Sequence, residues 1–164
     1  MGQLRTVACG ETNVGRVRDH NEDCFVADAD LGLFLVADGV GGGNAGEIAA
    51  SLLTEYVYDE IAALAEELRG RQASATEQQE TYQQRLPRLI ADASERIYRK
   101  AQEEPDYRGM ATTLVLLKLV GDRAIIAHVG DSRLYLLRKE KLHQVTEDHS
   151  LAREMVAKGL LAAS

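Results

Sequence analysis

Tryptophan is absent from this 164-residue chain, and cysteine, phenylalanine and proline occur only twice each. Cys9 and Cys24 are too few and too far apart for a disulfide framework or a zinc cluster, and they read as buried free thiols in a reducing compartment. Positive charge is also short. With 19 Lys and Arg against 26 Asp and Glu, the net charge is −7, which excludes the basic footprint of a nucleic-acid binder. A phosphoprotein partner stays open, because local fields matter more than the sum. Long hydrophobic runs are missing too. The longest, around Leu31 to Ala37, falls far short of a bilayer span, so no membrane is expected. Met1 to Gly10 holds one arginine and no apolar core, unlike a signal peptide. The expected location is cytoplasmic.

What remains is ordinary globular material, 45% hydrophobic and 27% charged, at a length that suits one domain. Residues 4–9 and 24–37 read as β-structure, the latter divided by an acidic turn at Asp28, Asp30 and Gly32. Gly46 to Arg69 reads as a long amphipathic helix, with Ile48, Leu52, Val57, Ile61, Leu64 and Leu68 at helical spacing. A Gln/Glu-rich stretch from Gln72 to Gln84 reads as a loop or an exposed helical start. A second stripe follows from Leu86 to Tyr98, with Pro87 placed in the first turn and Pro105 at the end. Thr112–Val120 and Ala124–Val129 flank Gly121-Asp122, a two-residue hairpin signal. Ser132 to Arg138 reads as a further strand, and His149 to Lys158 as a last helix. Strands, two helices, strands and a helix suit an α+β fold better than alternating βαβ units.

Acidic residues gather at strand ends. Asp38 closes the apolar run Leu33-Phe34-Leu35-Val36-Ala37 and opens a stretch with five glycines in the eight residues from Gly39 to Gly46. A carboxylate at the end of a buried strand is well directed to hold a hard cation, and Gly39 leaves its own carbonyl sterically open to the same ion. Gly41-Gly42-Gly43-Asn44-Ala45-Gly46 also fits G-x-G-x-x-G. A dinucleotide site would need a second parallel strand ending in an acid about twenty residues later. The helix simply runs on to Arg69 instead, and Asp38 would face a pyrophosphate with like charge. Asn21-Glu22-Asp23 and Gly130-Asp131-Ser132-Arg133 are two more acidic turns. Taken singly, each is an ordinary solvated turn; if the strands share one sheet, all three acidic sites reach one edge. Crowded carboxylates then call for a cation, and all-oxygen ligation selects Mg²⁺ or Mn²⁺. Arg18 stands just ahead of the same strand, where a guanidinium could grip a phosphate, although spacing alone also fits a surface arginine.

These residues resemble a family. Val14-Gly15-Arg16-Val17-Arg18-Asp19-His20-Asn21-Glu22-Asp23, Val36-Ala37-Asp38-Gly39-Val40-Gly41-Gly42, Gly109-Met110-Ala111-Thr112-Thr113, His128-Val129-Gly130-Asp131-Ser132-Arg133 and Thr146-Glu147-Asp148-His149-Ser150 are similar, in order, to five motifs of bacterial type-2C (PPM) protein phosphatases. The resemblance implies an αββα sandwich and hydrolysis of phosphoserine and phosphothreonine by water held between two Mg²⁺ or Mn²⁺ ions. A third, weaker ion binds in bacterial members. It implies that Asp38 bridges both metals, that the Gly39 carbonyl binds one, and that Glu22 and Asp23 act through metal-bound waters or from behind the direct ligands. Arg18 would hold the substrate phosphate and Asp131 the third ion, with Thr112, Thr113 and His128 in supporting roles. Phosphorylated Ser/Thr kinases and their targets are the implied partners.

Two departures stand out. Gly43 occupies the position where many relatives carry a histidine, the candidate acid for the leaving group. Family members also continue to two further aspartate motifs beyond the segment where this sequence stops at Ser164. The expectation is therefore one type-2C domain over residues 1–164, incomplete at its C-terminus. The alternative is a catalytically impaired relative that binds phosphoproteins or regulates a partner.

Overall fold

The computed structural model describes residues 5–149. The helix expected over His149–Lys158 lies, His149 apart, outside the described residues. Chain order runs β1 (Asp23–Asp28), β2 (Leu33–Val40), α1 (Ala45–Gly70), α2 (Ala75–Glu103), a 3₁₀ turn (Pro105–Tyr107), β3 (Ala111–Thr112), β4 (Leu114–Val120), β5 (Arg123–Val129), β6 (Tyr135–Arg138) and β7 (Lys141–Gln144). This is an α+β chain. The first five strands make one antiparallel sheet in the order β1-β2-β4-β5, with β3 continuing beside β2; β6 and β7 pair separately.

Alternation along β2 sorts the sheet's two faces. Leu33, Leu35 and Ala37 turn toward the helices and are at most 2% exposed, whereas Val36, Asp38 and Val40 point the other way and stay exposed. Leu114 and Leu116 join the helix-covered face from β4, packed with Leu53, Val57 and Ile61 of α1 and Leu86 and Ile97 of α2. Each such burial contributes about 1.5–3 kcal/mol, so this layer supplies most of the driving force. Lys118 breaks the apolar pattern. Its buried Nζ donates to the Leu31 and Leu119 carbonyls, both at 2.8 Å, and lies 4.8 Å from the Tyr82 ring centre. Burial pushes that amine below its ordinary pKa, while Asp28 pulls the other way.

Several boundaries differ from expectation. Residues 5–9 carry no ladder, and Val7 is 81% exposed: so short an alternation has too little apolar surface to hold an edge. Cys9 is exposed and Cys24 half-buried, so the thiols are free but not both sequestered. α2 begins at Ala75, inside the polar stretch, because Ser74 and Glu77 form a reciprocal capping box. Pro87 consequently sits in the interior of α2 and not in its first turn. The segment from Ser132 forms a strand only from Tyr135, and it returns as β7 across Lys139 and Glu140, both at positive φ (50° and 60°).

Candidate metal centre

The order of β1 and β2 in the sheet sets Asp23 directly opposite Asp38. Two like charges facing each other across an antiparallel pair are unfavourable, so their juxtaposition needs a compensating reason. The Asp38 backbone is clamped from the far side. Its N–H donates to Thr113 Oγ1 (3.0 Å), and its carbonyl accepts from the Thr113 N–H (2.9 Å) and Thr112 Oγ1 (3.1 Å). Thr112 and Thr113 thus fix the strand end that carries the carboxylate.

Glu22 approaches from the other flank. Its carbonyl accepts the Gly39 N–H at 3.1 Å, and Oε1 of its side chain is buried with no hydrogen-bond partner. Arg18 reaches its other oxygen, Oε2, at 3.7 Å, from a largely exposed position. The approach needs glycine at two places: a Cβ on Gly39 would overlap the Gly46 carbonyl, and one on Gly46 would overlap the Glu22 carboxylate. Asn21 Oδ1 accepts the Asp23 N–H (3.1 Å) and so shapes the entry to β1. Arg18, His20, Glu22, Asp23, Asp38 and Gly41 line a cleft of about 530 Å³.

Asp131 does not line this cleft. It lies on the loop after β5, close enough for its charge to act on Asp38. Burial, then the charges of Asp23 and Asp131, then a hydrogen bond that protonated Asp38 donates to the Asp23 carboxylate, and last the charge of Glu22, all hold the Asp38 carboxyl above the usual carboxylate range. The loop itself is firmly tied: His149 N–H donates to the Gly130 carbonyl (2.9 Å), His128 Nε2 meets the Glu147 carbonyl (2.8 Å), and Arg133 pairs with both oxygens of Asp148 at 2.8 and 2.6 Å. His128 stacks on His149, ring centres 4.4 Å apart.

Among the described residues, no three His, Cys, Asp or Glu side chains form a finished metal cage. The donor set nonetheless fits a hard cation: it is all oxygen, it includes an orphaned buried carboxylate oxygen, and burial together with the neighbouring carboxylates raises the proton affinity of Asp38. Five of the six expected residues meet in or beside one cleft, and the sixth faces Asp38 from the neighbouring loop. The Thr113–Ser132 contact at 2.7 Å, which joins the two halves, is the feature that sequence reading missed. Only the adjacency of β4 and β5 in the sheet makes it visible.

The arrangement is an all-oxygen, acidic cleft set at the end of a β-sheet, chemistry that suits a hard divalent cation. A protein phosphatase 2C family model matches residues 15–157, and the chain belongs to that family. It is similar to the serine/threonine phosphatase stp of Listeria monocytogenes (35% identical over 151 residues, covering 90% of this chain and 56% of that protein). Protein phosphatase PhpP of Streptococcus pneumoniae is 36% identical over 158 residues, covering 92% of this chain and 58% of its own. Among solved structures, the catalytic domain of serine threonine protein phosphatase PstP in complex with two manganese ions superposes with a TM-score of 0.64 at 32% identity, over 90% of this chain and 58% of that one. The chain therefore spans little more than half the length of the curated relatives it matches. Among the described residues, no helix is long and apolar enough to cross a membrane.

Proposed function

We propose that residues 1–164 form part of a metal-dependent phosphatase domain that hydrolyses phosphoserine and phosphothreonine in proteins. The observation that carries this reading is the set of carboxylates converging on Asp38, which adds to burial in raising its proton affinity, beside a buried Glu22 Oε1 that has no hydrogen-bond partner. A scaffold has no physical need for such an arrangement. Mn²⁺, as in the PstP structure, or Mg²⁺ would be held by Asp38 and the Gly39 carbonyl, with Glu22 and Asp23 behind them and Asp131 at a third position. When bound, such ions supply an activated water and offset charge on the phosphoryl group.

The chain's own residues do the positioning. Arg18 is 76% exposed in its side chain and free to swing from Glu22 toward a phosphate, which it would hold with two parallel hydrogen bonds. Thr112 and Thr113 keep Asp38 fixed while charge moves. Gly43 offers no proton to a leaving alkoxide, so solvent at the cleft must do so. Phosphorylated kinases and their targets are the proposed partners, in the cytoplasm, where Cys9 and Cys24 stay reduced.

The test is hydrolysis of an aryl phosphate with Mn²⁺, against chelator and against Asp38→Asn. Manganese-dependent turnover that drops at least about a hundredfold in the variant is expected, since one oriented metal ligand is worth that much or more. Folded protein that binds Mn²⁺ but shows no turnover would overturn catalysis by this chain.

A further inference from the structure

Thr113 stands between the two acidic arms. Its hydroxyl accepts the Asp38 N–H at 3.0 Å and shares a hydrogen bond with the Ser132 hydroxyl at 2.7 Å. Ser132 directly follows Asp131, and Gly130, just before it, packs on the same threonine. Gly130 holds φ +100°, and a Cβ there would lie 2.7 Å from Thr113 Cγ2. A single side chain between β3 and β4 thus touches the backbone that carries Asp38 and both neighbours of Asp131. The loop is pinned from its other side by Arg133 on Asp148 and by the His149 N–H on the Gly130 carbonyl. Among the described residues, its tie to Asp38 through hydroxyls is the Thr113–Ser132 pair.

We propose that Thr113 and Ser132 are positioning residues: their shared hydrogen bond sets the separation of the Asp131 and Asp38 carboxylates, and through it the affinity of the site for divalent cation. The inference rests on the metal-centre reading and adds residues that never touch the ion. A metal site depends on groups that orient its ligands, and losing one of them typically costs ten- to a hundredfold in affinity. The geometry satisfies that description. The hydroxyl pair is part-buried, joins the residue between β3 and β4 to the β5–β6 loop, and has no role in the helix-packed core.

The experiment is Mn²⁺ titration of the full chain, read by the paramagnetic resonance signal of free Mn²⁺, with circular dichroism to confirm folding. Ser132→Ala is expected to weaken binding about tenfold, and Ser132→Thr to restore most of it. In an Asp131→Asn background Ser132→Ala should add nothing, because its effect runs through Asp131. Thr113→Val should reproduce the loss; Ser132→Ala carries the test alone if that variant does not fold. Wild-type protein that fails to bind Mn²⁺ overturns the metal-centre reading and this inference with it. Equal binding by wild type and Ser132→Ala overturns only the inference. So does an additive loss in the Asp131→Asn background, which would mark Ser132 as a general structural contact.

Discussion

Asp38 shows what the arrangement costs at the level of one side chain. Its carboxyl sits above the ordinary value of 3.8, because of burial first and then the charges of Asp23 and Asp131. A carboxyl with a raised folded pKa binds its proton more tightly in the folded state than in the unfolded one. Stability therefore falls as pH rises from the unfolded value through the folded value, and the loss is complete above the latter. In chelator, Asp38→Asn should accordingly be more stable than wild type at about pH 7, with the gap closing as pH falls below the unfolded value. Urea unfolding at a series of pH values measures this. Saturating Mn²⁺ should reverse the order, because an ion that binds only the folded wild type stabilises it by mass action. Equal stability of the two proteins in chelator would mean that Asp38 is not under the field of its neighbours. The place of this residue was legible in the sequence, as an aspartate near the end of an apolar strand before a glycine-rich turn. The orphaned Glu22 Oε1 and the reach of Thr113 to Ser132 were not, because both depend on which strands become neighbours.

Whole elements were readable wherever their own residues decide them. α1 follows its apolar stripe to within one residue at either end, and the β4–β5 hairpin turns at Gly121-Asp122 as the dipeptide requires. The start of α2 was hidden because its first turns bury few apolar residues before Tyr82. The signal there was local, in Ser74-Ala75-Thr76-Glu77, where Ser74 Oγ accepts the Glu77 N–H and Glu77 reaches back to the Ser74 N–H at 2.7 Å. Once the helix starts at Ala75, Pro87 falls in its interior on an exposed position. A proline there lacks the N–H that would bond the carbonyl four residues earlier, and its ring crowds that turn. Pro87→Ala should therefore stabilise the chain, by about 1–3 kcal/mol, seen as a higher urea midpoint with unchanged slope. A destabilised variant would show that the fixed backbone of Pro87 helps Leu86 and Leu89 seat in the core.

Taken as a whole, the sheet is lopsided. Its helix-covered face holds the core, yet β4 reads Leu-Val-Leu-Leu-Lys-Leu-Val, a near-continuous apolar run of the kind found in strands covered on both sides. Helices cover one side alone among the described residues, and on the other Phe25 is 37%, Val36 47% and Ile126 36% exposed. The αββα sandwich expected from the family supplies a second sheet at this place; the described residues provide one helical layer, one sheet and the detached β6–β7 hairpin. Val36 is central on the open face, paired with Phe25 on one side and Val115 on the other, and it borders an apolar groove of about 440 Å³. Contiguous apolar surface of this sort binds apolar dyes and promotes association. Val36→Lys should therefore reduce fluorescence of an environment-sensitive apolar dye on the chain and shift its sedimentation toward the monomer. Its stability should change by no more than about 0.5 kcal/mol, as for other exposed positions. A loss of several kcal/mol in that variant would instead mean that Val36 is buried in solution, so that something in the chain already closes the open face and shelters the acidic end of the sheet from bulk water.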